Sequence, residues 1–378
     1  LIDKKGYFGE RMETSPAAGR YIECKLGEVA QILLFDDLNQ VEMVPNYDEK
    51  VMEPVCFLPK LPLMLLNGAE GIGTGFSSVI PSFNHKDLIA SIIKYLESGK
   101  AKRLKPWVSN FSASIQIEKN GKVIFPMSFE ERSGRIFITE LPKGYDAVKI
   151  YKHLTKFIES GFIKDFIDSS VDNDISIELL FKRGSDVSLQ EAKNKIGAVS
   201  SISPNYTLIS ENGVKIFDRP EEIIEIFSEK RLQVVRKRYE LLCDEYGDRI
   251  RQNNEIIKFI KNKEYEVATK KKNRKDFVSY LDGKKFKYAN YLADMPIYRM
   301  TKEEVQKRKL LVEDEKKLLS KFQKIAKSPR LVKKELISEL QEVEIKLTEW
   351  LKKKKSQSDR LRKVLSKKKN ITKRKARK

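Results

Sequence analysis

The stretch RLQVVRKRYELLCDEYGDRIRQNNEIIKFI, residues 231–260, decides the most distinctive part of the fold. Its apolar residues recur at alternating spacings of three and four positions, which form a stripe on a helix. Between Tyr246 and Ile250 a spacing of four follows another spacing of four, and the stripe then continues. The stripe comprises Leu232, Val235, Tyr239, Leu242 and Tyr246, followed by Ile250, Asn253, Ile257 and Ile260. This spacing predicts one side of a coiled coil on a long helix over residues 218–263. Pro220 and the acids that follow it favour a helix start there.

A second charged helix is predicted from Thr301 to about Trp350, with a break at KSPRL because Pro329 cannot continue a helix. Between the two helices lies an aromatic-rich knot, YANYLADMPIYRMT, from Tyr288 to Thr301. Two antiparallel helices ending in such a knot predict an arm over residues 218–350 with a tip at about 270–300. The tip either binds a partner or caps its own hairpin.

The chain before the arm, up to about residue 217, has mixed signals for strands, turns and helices. Turn signals such as NGAEGIGTG and ERSGRI separate short β-rich runs such as ASIQIE, GRIFITEL and SIELLF. Helical patches lie between them, for instance HKDLIASIIKYLESG and DAVKIYKHLTKFIESGF, each followed by glycine as helix ends often are. The pattern predicts an α+β body.

Charge is concentrated at the C-terminal end. The chain has 378 residues and a formal net charge of +21, and residues 351–378 hold 15 lysines or arginines against one acid, Asp359. Such a run is either a solvated, disordered tail or a polyanion-binding segment, most often for nucleic acid, and a nuclear localisation signal has the same composition. The tail indicates a polyanion without saying which one.

Three sparse cysteines, Cys24, Cys56 and Cys243, lack CxxC or zinc-type spacing and are typical of a reducing compartment. No apolar run approaches the roughly 18 residues that a membrane span needs, so we expect no membrane partner. The first residues, LIDKKGYFGE, lack Met and a signal-peptide profile, which suggests a fragment of a longer protein.

Common catalytic motifs are missing from the sequence. Neither His85 nor His153 has the spacing of a metal ligand, and no GxSxG motif or P-loop occurs. The glycines of GAEGIGTG are followed by SSVIPSFN, in which Pro81 stops any helix, so a dinucleotide loop is not expected. A tight turn pressed against another surface is the better interpretation.

The pair Arg20-Tyr21 follows a run of small residues in SPAAGRYIECKL, Ser15 to Leu26. A free phenol ionises near pH ~10, so tyrosine is a poor nucleophile unless a positive charge favours its anion. Arginine supplies a permanent charge and a fork suited to phosphate. Tyrosine attack on a phosphodiester gives a bond of similar energy to the one broken, which suits reversible cutting. Taken alone, the dipeptide is weak evidence.

The surrounding sequence strengthens the evidence for a nucleophilic tyrosine, because GYFGERMETSPAAGRYIECKL resembles the active-site segment of type IIA DNA topoisomerases. That family shows a G-x-F-G-x-R element, a loop of small residues and then Arg-Tyr. Residues 46–84, from NYDEK through NGAEGIGTG to IPSFN, are similar to the family's next stretch. GRIFITELP, YLADMPIYRMT and KSPRLVKKELISELQEVE follow in the family's order, so the resemblance covers roughly residues 1–350. The sequence NGAEGIGTG is more similar to the corresponding motif of eukaryotic and viral enzymes than to that of bacterial gyrase.

The resemblance implies roles for six residues. Tyr21 would be the nucleophile that links to the 5′ end of the broken strand, and Arg20 would stabilise the charge on the scissile phosphate. Ile80, in SVIPSFN, falls where the family inserts an isoleucine between base pairs to bend DNA. Three residues in matching segments would touch phosphate, namely Arg11, Lys60 and Asn67.

The resemblance also implies an architecture. The expected α+β multidomain fold has a partial winged-helix domain at 1–45 and an α/β tower domain at 46–217. A coiled-coil arm follows at 218–350, with a dimerisation tip that forms an exit gate, and then the basic tail at 351–378. The expected partners are double-stranded DNA and a second copy of the chain across a two-fold axis, because each tyrosine cuts one strand.

The chain lacks the acidic metal-binding cluster and the ATP-binding module of the family. We therefore expect no metal site here, and Mg²⁺ and ATP on a TOPRIM and ATPase subunit or on a preceding region. Without a recognisable DNA-wrapping domain, relaxation is favoured over supercoiling. The expected location is intracellular, in the cytoplasm of a bacterial or virus-infected host or in a eukaryotic nucleus.

Two other classes of protein share some of these features. A tyrosine recombinase needs an HxxR element and a nucleophile near its C-terminus, and neither His85 nor His153 has Arg three residues later. A non-catalytic DNA-binding scaffold would keep the arm and the charge. The intact Arg20-Tyr21 pair and Ile80 argue against a scaffold without excluding it.

Overall fold

The computed structural model describes residues 1–171, 173–210 and 213–375, and side chains as far as residue 357. The helices are α1 Glu28–Leu34, α2 Leu63–Asn67, α3 His85–Ser98, α4 Ala147–Glu159, α5 Leu189–Ile196, α6 Pro220–Lys261, α7 Arg274–Gly283, α8 Ala289–Ala293, α9 Lys302–Lys327 and α10 Pro329–Lys375. The described strands are β1 Ile2–Lys5, β2 Glu23–Leu26, β3 Met43–Pro45, β4 Met52–Pro54, β5 Ala69–Ile72, β6 Ser77–Ile80, β7 Gln116–Ile117, β8 Val123–Pro126, β9 Ser128–Arg132, β10 Arg135–Glu140, β11 Asp165–Asp168, β12 Ile177–Leu180, β13 Val199–Ile202, β14 Tyr206–Ser210 and β15 Gly213–Phe217.

The chain divides into two compact units that are not contiguous in sequence. The first holds residues 1–38, 57–229 and 340–378, and the second holds residues 39–56 and 230–339. This division differs from the predicted boundaries at 45, 217 and 350. Residues 39–56 belong with the arm, and the segments on either side of them belong to one α+β unit. Contacts between residues far apart in sequence decide which segments form one unit, and local sequence patterns do not reveal such contacts.

The centre of the first unit is a four-stranded antiparallel sheet in the order β11-β12-β10-β9. Strand β10 alternates buried residues with exposed or half-buried ones, as expected for a sheet with one well-covered face. Its inward residues pack against α4 and α5 in one apolar cluster, which includes Ile136, Ile138, Ile150, Leu154, Ile177 and Ile196. Smaller sheets in this unit are β1-β2, β5-β6, β14-β15 and β13-β8-β7.

The predicted helix ends are confirmed by local chemistry. Asn84 caps α3 by accepting from the Lys86 backbone N–H at 2.9 Å, and Gly99, with φ of 72°, ends it in the left-handed region. Asp146 caps α4 through the Lys149 N–H at 2.9 Å. Each cap satisfies a backbone donor that the first turn leaves without an intrahelical partner.

The second unit contains most of α6, all of α9 and the first part of α10. The predicted arm helix and the break at Pro329 are confirmed, since α6 runs from Pro220 to Lys261 and α10 begins at Pro329. Arg231 and Arg238 both bind Glu339, with Nη2–Oε1 distances of 2.8 and 3.1 Å, which joins α6 to α10. The tip is larger than the knot alone, because Phe259, Phe277, Leu281, Phe286 and Leu292 form its core.

The second charged helix was predicted to end near Trp350, and this is wrong. Helix α10 continues to Lys375, so the basic tail is largely helical. The apolar period stops near residue 350, but lysine and arginine are good helix formers and no Gly or Pro interrupts the run. In the part of the chain that the structure describes, no helix has both the length and the apolar character needed to cross a bilayer.

Candidate active site

Tyr21 stands at the end of an exposed loop inside a β-hairpin. Strands β1 and β2 pair antiparallel, with Lys5 opposite Glu23, and those two side chains form an ion pair at 2.9 Å. The loop re-enters the hairpin through a single 3-10 turn, Gly19–Tyr21, in which the Tyr21 N–H donates to the Ala18 carbonyl at 2.8 Å. The tyrosine is thus fixed by backbone bonds just before β2 begins.

The Tyr21 side chain is available to a large ligand. It is 67% exposed, and the Arg20 guanidinium carbon lies 4.9 Å from the centroid of its ring. This is a cation–π contact on the ring face. A planar guanidinium in that position places a fixed positive charge beside the phenol while its outer N–H groups still face solvent.

A glycine allows the turn to approach the strand. Gly6 follows β1 with φ of +97°, and a Cβ there would lie 2.7 Å from the Tyr21 carbonyl oxygen. The rest of the loop is closed by its own bonds, including Ala17 N–H to Tyr7 carbonyl at 3.0 Å and the Tyr7 hydroxyl to Glu13 carbonyl at 3.1 Å. The residues GYFGER therefore shape the loop that presents Tyr21.

Arg11 is largely buried and bound to partners within the chain, and its contact with phosphate stays a prediction. Its Nη2 donates to the Leu141 carbonyl at 2.6 Å and lies 2.5 Å from Glu140 Oε1. Glu140 is only 2% exposed and also accepts from the Ser112 N–H at 2.7 Å. Because Arg11 neutralises this buried carboxylate, its role in this structure is to attach the Tyr21 loop to β10.

Lys60 and Asn67 differ in how accessible their side chains are to a bound phosphate. Lys60 is buried, at 8% exposed, and is ion-paired with Asp36, and its contact with phosphate stays a prediction. This pairing joins residues 24 positions apart and carries no local sequence signal. Asn67, the last residue of α2, is exposed, and its contact with phosphate stays a prediction.

The glycine-rich motif forms the β5-β6 hairpin, which confirms the predicted tight turn, but residues 71–77 are exposed and no other part of the chain that the structure describes presses against the turn. Gly73 N–H donates to the Phe76 carbonyl at 2.8 Å, and Ile72 at the tip is 94% exposed. Ile80, at the other end of the hairpin opposite Ala69, is only 4% exposed. A wedge between base pairs must reach the surface. In this conformation the Ile80 side chain packs in the core, and its insertion between base pairs stays a prediction.

Sequence reasoning missed several cations near Tyr21. Lys4 and Lys25 are exposed on the same hairpin, and α10 places Lys354 Nζ 3.1 Å from Asp3 of β1. The charged residues of DKK and ECKL on either side of the loop could have indicated the first two. The contact of Lys354 with Asp3 spans 351 positions and has no such signal.

Among the described residues, no group of three or more His, Cys, Asp or Glu side chains is arranged to hold a metal ion. The side chains around Tyr21 thus do not fit the Mg²⁺ site of a phosphodiester-cutting centre. We derive no step through a metal from them.

Comparison with known proteins places these features in a family. A family model that describes the A subunit of DNA gyrase/topoisomerase IV matches residues 1–341. DNA topoisomerase 2 of Candida albicans is 31% identical over 315 residues, covering 76% of this chain and 20% of that protein. The Pisum sativum enzyme is 33% identical over 238 residues, covering 60% and 16%. The chain thus spans about a fifth of these relatives' length.

The fold is also that of a solved structure. A Plasmodium falciparum topoisomerase II structure, described as its DNA-binding, cleavage and re-ligation domain, superposes with a TM-score of 0.77. The match covers 93% of this chain and 54% of the other at 23% identity. The mixed helix and sheet architecture predicted from the sequence is confirmed at this level.

Proposed function

The chain belongs to the family of DNA gyrase and topoisomerase IV A subunits, and on that premise we propose that it is the DNA breakage-and-reunion part of a type IIA topoisomerase. The observation that carries the proposal is the pairing of a 67% exposed Tyr21 with the Arg20 guanidinium 4.9 Å from its ring. An exposed, positively flanked phenol on a rigid turn is suited to meeting a phosphodiester on a duplex.

The proposed reaction is a reversible transesterification. The Tyr21 oxygen attacks the phosphorus, its proton is lost, and the bond from phosphorus to the 3′ oxygen breaks. The leaving 3′ oxygen takes up a proton, and the 5′ phosphate remains esterified to the tyrosine. Attack by the 3′ hydroxyl on that phosphotyrosine bond restores the strand. Because one ester replaces another, resealing needs no separate energy source.

Arg20 supplies the electrostatic part of this step. Charge builds on the non-bridging phosphate oxygens as the tyrosine attacks, and a guanidinium stabilises that charge through paired N–H donors. Its stacking on the Tyr21 ring restricts both side chains before DNA arrives, which reduces the entropy lost on forming the reactive geometry.

A double-strand break requires two such tyrosines, so the proposed working unit is a two-fold dimer on duplex DNA. At the tip, Tyr291, Ile297 and Tyr298 are 43%, 81% and 74% exposed while their neighbours fill the tip core, and we propose this apolar face as the second contact between copies. Mg²⁺, ATP and the modules that bind them are proposed to lie on a separate partner chain or another part of a longer chain.

The test is covalent capture with the chain reconstituted with its metal-binding partner module and Mg²⁺. A duplex labelled at the 3′ end of the cut strand should become attached to protein under denaturing conditions, whereas a 5′ label should not. Tyr21→Phe should abolish attachment while leaving DNA binding intact. Tyr47→Phe, at a fully exposed tyrosine outside the Tyr21 loop, is the matched control and should retain attachment. Attachment that survives in Tyr21→Phe would refute the proposal, and a scaffold would show no attachment in any variant.

A further inference from the structure

We propose that α10 beyond Leu351 is a duplex-binding extension that lengthens the DNA contact made by the hairpin of Tyr21. The inference rests on the proposed function, because the duplex is the polyanion that Tyr21 would bring to this part of the molecule. It assigns a ligand to the basic segment, whose composition alone indicates only a polyanion.

Helix α10 is anchored in the first unit immediately before the basic segment. Leu340, Val343 and Leu347 are spaced by three and four and are at most 4% exposed. Thr348, one residue later, lies 3.4 Å from His85 Nε2 on α3. From Lys352 to Gln357 every side chain is exposed, so the helix leaves the core where its charge begins.

This exit point lies beside the candidate active site. Lys354 Nζ is 3.1 Å from Asp3 on β1, and Lys353 Nζ is 3.4 Å from Glu28 at the start of α1. Asp3 is paired with Lys25. Lys25 follows Tyr21 by four positions, so their Cα atoms are at most about 13 Å apart. These exposed ion pairs contribute little stability, but they locate the helix next to the hairpin.

The charge and length of the segment match a duplex. Residues 352–375 form about 36 Å of helix at ~1.5 Å per residue, and a duplex of that length spans about ten base pairs with about two phosphates per pair. Lys363 and Lys367, and Lys369 and Lys373, are like charges four positions apart, which destabilises an isolated helix. A polyanion alongside removes that repulsion, so binding and helix formation support each other.

The sequence offers a matched pair of variants for the test. The tetrapeptide KKKN occurs at 270–273 in the second unit and again at 367–370 in α10. We would replace the three lysines by Gln in each, and measure the affinity of the full chain for a 40-base-pair duplex as a function of KCl concentration. Each lost phosphate contact lowers the slope of log K against log salt by about 0.9. The α10 variant should lose up to about 3 from the slope, and the 270–272 variant should lose none.

The outcomes separate this inference from the proposed function. An unchanged slope in the α10 variant, or an equal loss in both variants, would overturn the inference while covalent capture by Tyr21 could still stand. If wild-type chain never captures DNA but only the α10 variant loses slope, the duplex contact stands and the cleavage proposal fails. Loss of binding to phosphatidylserine vesicles, with unchanged DNA binding, would assign the segment to a membrane surface and also overturn the inference.

Discussion

A Cβ atom at position 6 would lie 2.7 Å from the carbonyl oxygen of Tyr21, so Gly6 and the turn that presents the tyrosine are matched to each other. No side chain is accommodated at that distance without a shift of the turn. The glycine of a GYFG element thus acts on a residue 15 positions later, through the backbone.

We predict that Gly6→Ala lowers the yield of covalent capture even under conditions in which the variant remains folded. Positive φ costs a residue with Cβ about 1–2 kcal/mol, and the clash moves Tyr21 in addition. Gly134→Ala is the control, because Gly134 has φ of +70° and open space around its Cβ direction. Gly6→Ala should lose more stability in urea unfolding than Gly134→Ala because of the clash, and only Gly6→Ala should lose capture by the folded protein. Equal capture by the two would contradict the role given to Gly6.

Glu140→Ala should destabilise the first unit by about 3 kcal/mol or more, because it leaves the Arg11 charge and the Ser112 N–H without their buried partner. Glu130→Ala breaks the exposed Arg132 ion pair, in which both side chains are more than half exposed, and should cost at most about 1 kcal/mol. Denaturant unfolding of both variants measures the difference. Similar losses would show that Glu140 is not the hub of this contact.

Ile80→Ala should cost about 2–5 kcal/mol, since it opens a cavity in the core. Ile72→Ala, in the same hairpin but 94% exposed, should change the free energy of unfolding by no more than about 0.5 kcal/mol. An Ile80→Ala variant as stable as wild type, with weaker bending of bound DNA, would instead support the wedge implied by the family resemblance.

His85 should make the first unit sensitive to mild acid. Burial, and next the neighbouring Lys86, lower its pKa, while Glu344 and Asp87 oppose them. A lowered pKa keeps the folded form neutral when the unfolded chain takes up a proton, so stability is complete above the ordinary value of about 6.5 and falls as pH falls below it. Urea unfolding between pH 7 and 5 should show a smaller loss in His85→Gln than in wild type. An equal or larger loss in the variant would contradict this.

The sequence predicts best where local chemistry decides the structure. Gly99 ends α3, Pro329 separates α9 from α10, and the stripe around Val235 marks α6, each by contacts within a few residues. The resemblance carried by GYFGER and Arg20-Tyr21 likewise depends on contiguous residues.

Partners distant in sequence account for most of what was missed. The ion pairs of Arg11 with Glu140 and of Lys60 with Asp36 join residues that no local pattern connects, while the predicted contacts of both cations with phosphate stay predictions. Burial of Ile80 depends on how its hairpin packs, which alternation over four residues does not determine. The length of α10 was underestimated because its charged half has no apolar stripe to predict it.

The hydrogen bond between Arg11 and Leu141 spans 130 positions, so during synthesis Arg11 leaves the ribosome long before Leu141 does. The hairpin with Tyr21 closes through contacts within about twenty-five residues, so it can form as soon as it emerges. At typical rates of elongation, on the order of ten seconds pass before β10 emerges to hold it. During that interval the Tyr21 loop of a nascent chain would lack its bond to Leu141.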